Sequence, residues 1–145
     1  MNARTRQGGV ALIEVMIAVV ILAIGVLGAV GLQANSLAAL SNAGARVDAT
    51  LAAEKVIGLM STDQANLASY VWDSTAVPTP PAVLGNWMTE TQAALPNATA
   101  VITVTPIGGS TATQVSVTLT WQRRTGANAD AVNSHTIVAT LAPTS

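Results

Sequence analysis

The chain has no cysteine and a single histidine, His135, among its 145 residues. Without thiols it forms no disulfides, iron–sulfur clusters or cysteine-type zinc sites and performs no thiol catalysis. One histidine leaves too few ligands for a histidine-rich metal centre and disfavours general acid–base catalysis. The sequence therefore predicts a protein that is not an enzyme and that has neither a cofactor nor a metal site.

Charge is also scarce. Only 9% of the residues are charged, and six Lys and Arg against seven Asp and Glu give a net charge of -1. Such a balance provides no diffuse basic field for the phosphates of a nucleic acid. Half of the residues are hydrophobic, which excludes an intrinsically disordered chain, and the length suits one domain.

What the sequence does contain is a 23-residue apolar run, Val10 to Leu32, whose only ionisable member is Glu14. At about 1.5 Å per residue, a helix of this length spans the roughly 30 Å hydrocarbon core of a bilayer. Arg4 and Arg6 precede the run without an acidic residue, so the positive-inside rule predicts a cytoplasmic N-terminus and an exported remainder. This pattern predicts a single-pass membrane protein with its N-terminus in the cytoplasm.

A cleaved secretory signal peptide is the alternative, because a basic segment before an apolar stretch is its signature. The run is longer than the usual apolar region of about 7–15 residues, and Glu14 interrupts its start. Helical character also continues beyond Leu32 without a turn-rich cleavage region. These features favour a helix that is retained.

The residues around the start of the run form the sequence Arg6-Gln-Gly-Gly-Val-Ala-Leu-Ile-Glu-Val15. It resembles the class III leader of type IV prepilins and pseudopilins, in which a short basic leader ends in glycine and glutamate is the fifth mature residue. The resemblance implies that prepilin peptidase cuts between Gly9 and Val10 and that Val10 is then N-methylated. The continuation, residues 21–33, is most similar to the minor-pilin group PilV of type IVa pili.

Glu14 needs a partner, because a carboxylate at a helix centre in lipid costs about 2.5–3.5 kcal/mol. Cleavage would create an α-amino group on Val10, with a reference pKa of about 8, four residues from Glu14. The two charges could pair within one helix or, as the resemblance implies, between neighbouring subunits during assembly. Alternatively, Glu14 extends to water at the membrane interface.

Three glycines, Gly25, Gly28 and Gly31, weaken the apolar helix by about 1 kcal/mol each relative to alanine. They could allow another helix to approach closely. The resemblance implies a second interpretation, in which this segment loses helical order when a subunit joins the fibre. The sequence leaves both open.

Beyond Gln33 the pattern predicts an amphipathic helix that continues to about Ser61 and covers a sheet with one face. The apolar positions assigned to that face are Leu37, Leu40, Gly44, Val47, Leu51, Val56, Ile57 and Met60. Residues 62–85 contain three prolines and are predicted to form a surface loop, held by the aromatic rings of Tyr70 and Trp72.

The C-terminal part predicts a short helix, Trp87 to Leu95, capped by Asn86, with Trp87 as a core anchor. Three alternating segments predict antiparallel strands at Val101–Thr105, Val115–Gln122 and His135–Leu141. The predicted fold class is α+β: a type IV pilin-like fold with a long N-terminal helix, half transmembrane and half amphipathic, packed on a small antiparallel sheet.

The resulting organisation is a leader (1–9), a transmembrane and assembly half of the helix (10–33), an amphipathic periplasmic half (34–61) and a globular head (62–145). The resemblance implies a minor pilin that is anchored in the inner membrane before it joins a pilus initiation and assembly complex. Its partners would be prepilin peptidase, the major and other minor pilins, the inner-membrane assembly platform and the lipid bilayer. A tip-displayed adhesin or DNA receptor and a type II secretion pseudopilin are the alternatives.

Four further motifs have structural interpretations. Ser134 and His135 with Asp130 are triad residue types, but neighbours on a strand point to opposite faces. The sequon at Asn97 is a common tripeptide, and Gly108-Gly109 lacks the lysine of a phosphate-binding loop. Arg123 and Arg124 could contact DNA, although two charges are more typical of a solvated strand end.

Overall fold

The computed structural model describes residues 8–122 and 131–142, with side chains described from residue 11 onward. Its first element, helix α1 (Gly8–Thr62), is a continuous helix of 55 residues. The predicted end of this helix near Ser61 is confirmed. The helix can continue this far because no proline occurs before Pro78 to remove a backbone hydrogen-bond donor. The chain divides into two compact units between Leu37 and Ala38.

In the first unit, every described side chain of α1 from residue 11 to residue 37 is exposed. An isolated helix that is apolar all round has no buried face of its own. By length and composition, α1 is suited to cross a membrane. The surface of this unit is therefore suited to lipid or to other apolar helices.

The second unit is a head in which the C-terminal half of α1 packs on a four-stranded antiparallel sheet. The strands are β1 (Trp72–Asp73), β2 (Thr99–Pro106), β3 (Thr113–Gln122) and β4 (Val132–Leu141), in the spatial order β1-β2-β3-β4. Helix α2 (Gly85–Ala94) precedes β2. The α+β fold class is confirmed, and the three predicted strands exist with longer bounds.

The segment between the helices differs from its prediction. It contains a 3₁₀ helix (Gln64–Tyr70), strand β1 and a 3₁₀ turn (Ala82–Leu84), so the prediction of a surface loop over residues 62–85 is wrong. A strand of two residues is too short to show a period of two in the sequence. The predicted anchors are confirmed, because Tyr70 and Trp72 are both buried.

Helix α2 begins at Gly85 rather than after an Asn86 cap, so that part of the prediction is wrong. Leu84 occupies the capping position without a side-chain hydrogen bond, and Asn86 is exposed. The preceding 3₁₀ turn leads directly into the helix, with the N–H of Leu84 bonded to the carbonyl of Pro81 at 2.9 Å. Trp87 is buried, as predicted.

The face of α1 that covers the sheet also differs from its prediction. The buried residues are mostly small: Ala45, Ala49, Ala53, Val56 and Met60. The predicted positions Val56 and Met60 are confirmed and Ile57 is half-buried, but Leu37, Leu40, Gly44, Val47 and Leu51 are all exposed. Large residues on the inner face of the sheet fill the space and require small residues opposite them. These include Ile102, Leu119 and Trp121.

Candidate assembly and processing segment

The proposed processing site lies at the start of α1. Gly9 and Val10 have helical backbone, and the side chain of Glu14, about one turn further along, is exposed. Residues four apart lie on the same face of a helix, about 6 Å apart along its axis. An α-amino group on Val10 would therefore share a helix face with the Glu14 carboxylate, and no described residue of the first unit buries that carboxylate.

The three glycines of the apolar half lie in open surroundings. A Cβ atom built on Gly25, Gly28 or Gly31 meets no atom within 4 Å outside the helix's own backbone. Each step of three residues rotates the position by about 60° around the helix, so the three glycines cover roughly a third of its circumference. Packing within the described chain therefore does not require glycine at these positions.

In the head, α1 carries a second apolar face, which we call the outward stripe: Leu40, Gly44, Val47 and Leu51. The exposed fractions of Leu40, Val47 and Leu51 are 69%, 58% and 58%. At about 100° per residue, the stripe lies on the opposite side of the helix from the buried alanines. A Cβ on Gly44 would meet nothing within 4 Å. This half of α1 therefore has two apolar faces and uses only one of them for the head's own core.

A groove of about 210 Å³ lies between α1 and α2, with Leu51 on its wall. The indole Nε1 of Trp87 donates a hydrogen bond of 2.8 Å to the backbone oxygen of Ala52, which fixes α2 against α1. Lys55 and Glu90 form an exposed ion pair at the rim, and such pairs add little stability. Leu51, at one end of the outward stripe, therefore lies beside the contact that fixes α2 against α1.

Residues 4–30 match the family model described as the prokaryotic N-terminal methylation motif. This motif supports a type IV pilin-like protein. The match covers residues 4–9 of the proposed leader, the proposed cleavage position and most of the apolar run, and it implies processing by prepilin peptidase, assembly with pilins and membrane anchoring. Pilin-like proteins are structural proteins and not enzymes. Searches of curated proteins and of solved structures each found no match to the chain.

The single histidine of the chain has a structural contact. Nε2 of His135 lies 3.2 Å from Oγ1 of Thr50. Because that hydroxyl donates its own proton to the carbonyl of Arg46 at 2.9 Å, the imidazole is the donor in the contact with Thr50. Ser134 is the next residue on the same strand, and Asp130 lies outside the described residues. The described residues therefore assemble no catalytic triad.

The remaining sequence motifs are turns or lie outside the described residues. Asn97 adopts a positive φ of 52°, and its Nδ2 donates to Oε1 of Gln122 at 2.6 Å. Gly109 has a φ of 77° in a turn, which favours glycine. Arg123 and Arg124 lie outside the described residues. Within residues 8–122 and 131–142, no cluster of three or more potential metal ligands occurs.

One polar cluster of the head was not predicted from the sequence. Asp63, just after α1, accepts hydrogen bonds from Nδ2 of Asn66 at 2.7 Å and from the hydroxyl of Tyr70 at 3.1 Å. Burial of the phenol, together with the nearby Asp63 carboxylate, raises the pKa of Tyr70. At the end of β1, hydrogen bonds from Thr75 lower the pKa of the carboxyl group of the half-buried Asp73. These contacts fasten the segment that follows α1.

Proposed function

We propose that this pilin-like protein is a minor pilin, which joins the initiation and assembly complex of a type IV pilus after prepilin peptidase removes residues 1–9. The observation that carries the proposal is the apolar surface of α1. The described residues of its first unit are exposed throughout, and the outward stripe extends this property into the head. Both surfaces need a cover that the described chain does not supply.

The free energy available at this surface is large. Full burial of a leucine or valine side chain contributes about 1.5–3 kcal/mol relative to exposure. The outward stripe presents three such side chains on a head that is to be exported into water. A bilayer covers the apolar half before assembly, and the helices of neighbouring subunits are suited to cover both surfaces in a filament.

The charges at the start of the helix support the same function. Cleavage between Gly9 and Val10 would leave a cationic amine on Val10, the residue to be methylated, at the end of an apolar helix. Glu14 of a neighbouring subunit would neutralise that amine inside the bundle. The glycine segment, Gly25 to Gly31, provides either close helix contacts or the local loss of helical order that this rearrangement needs.

The proposed organisation of the chain is a leader (1–9), an assembly half of the helix (10–33), a periplasmic half (34–61) and a head (62–145). Before assembly, the protein would be a single-pass inner-membrane protein with its N-terminus in the cytoplasm. Afterwards it would lie in the pilus, in contact with the major pilin and other minor pilins. The similarity of residues 21–33 to the PilV group supports a place in type IVa pili.

The experiment replaces Leu40 and Val47 by glutamine, which forms helices well and removes the apolar contact. The matched control is Val77→Gln, because Val77 is 56% exposed and lies outside the stripe. We expect normal processing and thermal stability for both variants, but a loss of at least about tenfold in the amount of the stripe variant in sheared pili. Incorporation of the stripe variant at the control's level would contradict the proposal. Recovery of the protein only with the secretion machinery would instead assign it to the pseudopilins.

A further inference from the structure

The peptide bond of the proposed processing site lies inside helix α1. Gly8, Gly9 and Val10 all have helical backbone, and the helix continues from them without interruption to Thr62. In a regular helix the carbonyl of Gly9 accepts a hydrogen bond from the N–H of Ile13, four residues further along. The bond between Gly9 and Val10 is therefore enclosed in the hydrogen-bond ladder of the helix.

A peptide bond in a helix is a poor substrate for a peptidase. Proteins that bind extended peptides pair with the backbone N–H and C=O groups of the peptide, and a helix already uses these groups internally. Proteolysis of such a segment proceeds through a transiently opened form. When opening and closing are fast relative to cleavage, the cleavage rate follows the equilibrium population of that form. The helical backbone at Gly9 and Val10 therefore implies that local opening of α1 precedes cleavage.

The residues that have to open are weak helix formers. Gly8 and Gly9 lose more backbone freedom in a helix than any other residue type would. Val10 is β-branched, which also lowers its helix propensity. Ala11 and Leu12, which follow directly, belong to the strongest helix formers. The chain therefore changes from weak to strong helix formers at the proposed cleavage site.

The apolar run limits how far this opening can extend. It begins at Val10, and in the membrane-anchored precursor the residues beyond it enter the bilayer. A backbone carbonyl that loses its helical partner in hydrocarbon finds no other donor, which costs several kcal/mol. Opening of Gly8, Gly9 and Val10 frees backbone groups only at the border of the run. The weak segment and the border of the run thus confine the opening to the bond that is to be cut.

We propose that Gly8 sets the rate of maturation by weakening α1 at the cleavage site, so that prepilin peptidase acts on a locally opened form of the helix. The proposal rests on the proposed function, which takes Gly9–Val10 as the bond that is cut. Water is the co-reactant: its oxygen bonds to the carbonyl carbon of Gly9, the C–N bond to Val10 breaks, and one proton of the water moves to the nitrogen. Gly8 is a positioning residue, because it acts through the conformation of the helix.

The first test compares Gly8→Ala with the original chain in a host where prepilin peptidase is limiting. We expect the pulse-labelled variant to lose its leader about fivefold more slowly, which corresponds to the helix propensity difference of about 1 kcal/mol between glycine and alanine. The matched control is Gly25→Ala, the same substitution in the same helix, where the added Cβ meets nothing within 4 Å. The control should be processed at the original rate. An original rate for Gly8→Ala overturns the proposal.

A second variant separates weakening of the helix from direct contact with the peptidase. Valine is larger than alanine, but its β-branched side chain makes it a poorer helix former. We therefore expect Gly8→Val to be processed about two- to threefold faster than Gly8→Ala. A peptidase that requires a small side chain at this position would produce the opposite order. Slower processing of the valine variant than of the alanine variant overturns the proposal.

Amide hydrogen exchange measures the opening itself. In the full precursor in detergent micelles, the N–H of Ile13 exchanges when the carbonyl of Gly9 leaves the helical ladder. We expect Gly8→Ala to slow this exchange by the same factor as the cleavage. Slower cleavage with unchanged exchange overturns the proposal, because the substitution would then act on the peptidase. Cleavage after Gly9 at equal rates refutes only the role of Gly8, whereas an original chain that is never cut there refutes the proposed processing as well.

Discussion

Trp87 on α2 donates its indole N–H to the backbone oxygen of Ala52 in the C-terminal half of α1, across 2.8 Å. A ring that is buried in the core of the head thus also joins the two helices at one defined point. The contact orients α2, whose C-terminal end leads into β2, and it sets the groove beside Leu51.

We expect Trp87→Phe to lower the free energy of unfolding by about 1 kcal/mol through the lost hydrogen bond, with a further loss from the smaller ring. Trp87→Ala should cost about 3–5 kcal/mol, because it leaves a cavity in the core. Thermal unfolding of the full chain in detergent measures both values. An unchanged stability of the alanine variant would show that α2 does not depend on this ring.

The two faces of α1 predict opposite effects of side-chain size. Ala53 is fully buried and Leu51 is 58% exposed. Ala53→Leu should lower the free energy of unfolding by about 1–3 kcal/mol, because the sheet must move away from the helix. Leu51→Ala should leave the stability of the head within about 0.5 kcal/mol of the original and reduce incorporation into pili. The reverse order of stabilities would contradict the packing described for α1.

Processing between Gly9 and Val10 predicts a defined mature chain. Loss of the leader removes Arg4 and Arg6, which leaves four Lys and Arg against seven Asp and Glu. Mass spectrometry of the protein from a host with prepilin peptidase should find Val10 at the N-terminus, with the mass of one added methyl group. A mature chain that retains the leader, or one cut beyond Leu32, would contradict the proposed processing.

Replacement of Glu14 should separate membrane insertion from assembly. Glu14→Ala and Glu14→Gln remove a charge that costs about 2.5–3.5 kcal/mol at most in lipid, so insertion should be unchanged or improved. Incorporation into pili should fall, because the Val10 amine would enter an apolar bundle without a carboxylate to neutralise it. The check compares inner membrane and sheared pili. Original levels of both variants in pili would show that Glu14 is only an interfacial residue.

The Tyr70–Asp63 contact predicts a loss of stability at alkaline pH. Because the pKa of Tyr70 is raised in the folded protein, its contribution is fully present below the unfolded value of about 10 and is lost as the pH rises through the folded value. Tyr70→Phe should remove this part of the alkaline decline. Tyr70 is the only tyrosine, so phenolate absorbance reports its titration directly. Titration at the ordinary value would contradict the raised pKa.

The sequence predicts the long helix and the three long strands because their apolar residues recur over many turns or alternations. The buried face of α1 is not predictable in the same way. A periodicity analysis follows the large residues Leu40, Val47 and Leu51, whereas the sheet packs against alanines whose small size is what allows contact. Strand β1 is too short to show an alternating pattern of apolar residues. The Asp63–Tyr70 contact depends on a 3₁₀ helix that no capping motif in the sequence predicts.

The processing segment, in contrast, is predictable from the sequence alone. Residues 4–30 carry a local motif that needs no tertiary structure to be found. The position of β4 at one edge of the sheet depends on strand order, which becomes evident only when the sheet is assembled. The outward stripe likewise becomes visible only when the packing of α1 shows which of its two apolar faces the head uses.

The alanine face of α1 also limits how much apolar surface the helix exposes while the protein is being synthesised and folded. Synthesis produces α1 first, while the strands that cover it come from the second half of the chain. Strands β2, β3 and β4 pair only with their neighbours in sequence, so this local meander can form quickly once it is complete. Until then no sheet covers this face of the helix, and its alanine side chains expose much less apolar area than leucine side chains would. A small-residue face therefore limits the opportunity for wrong associations during the interval before the core closes.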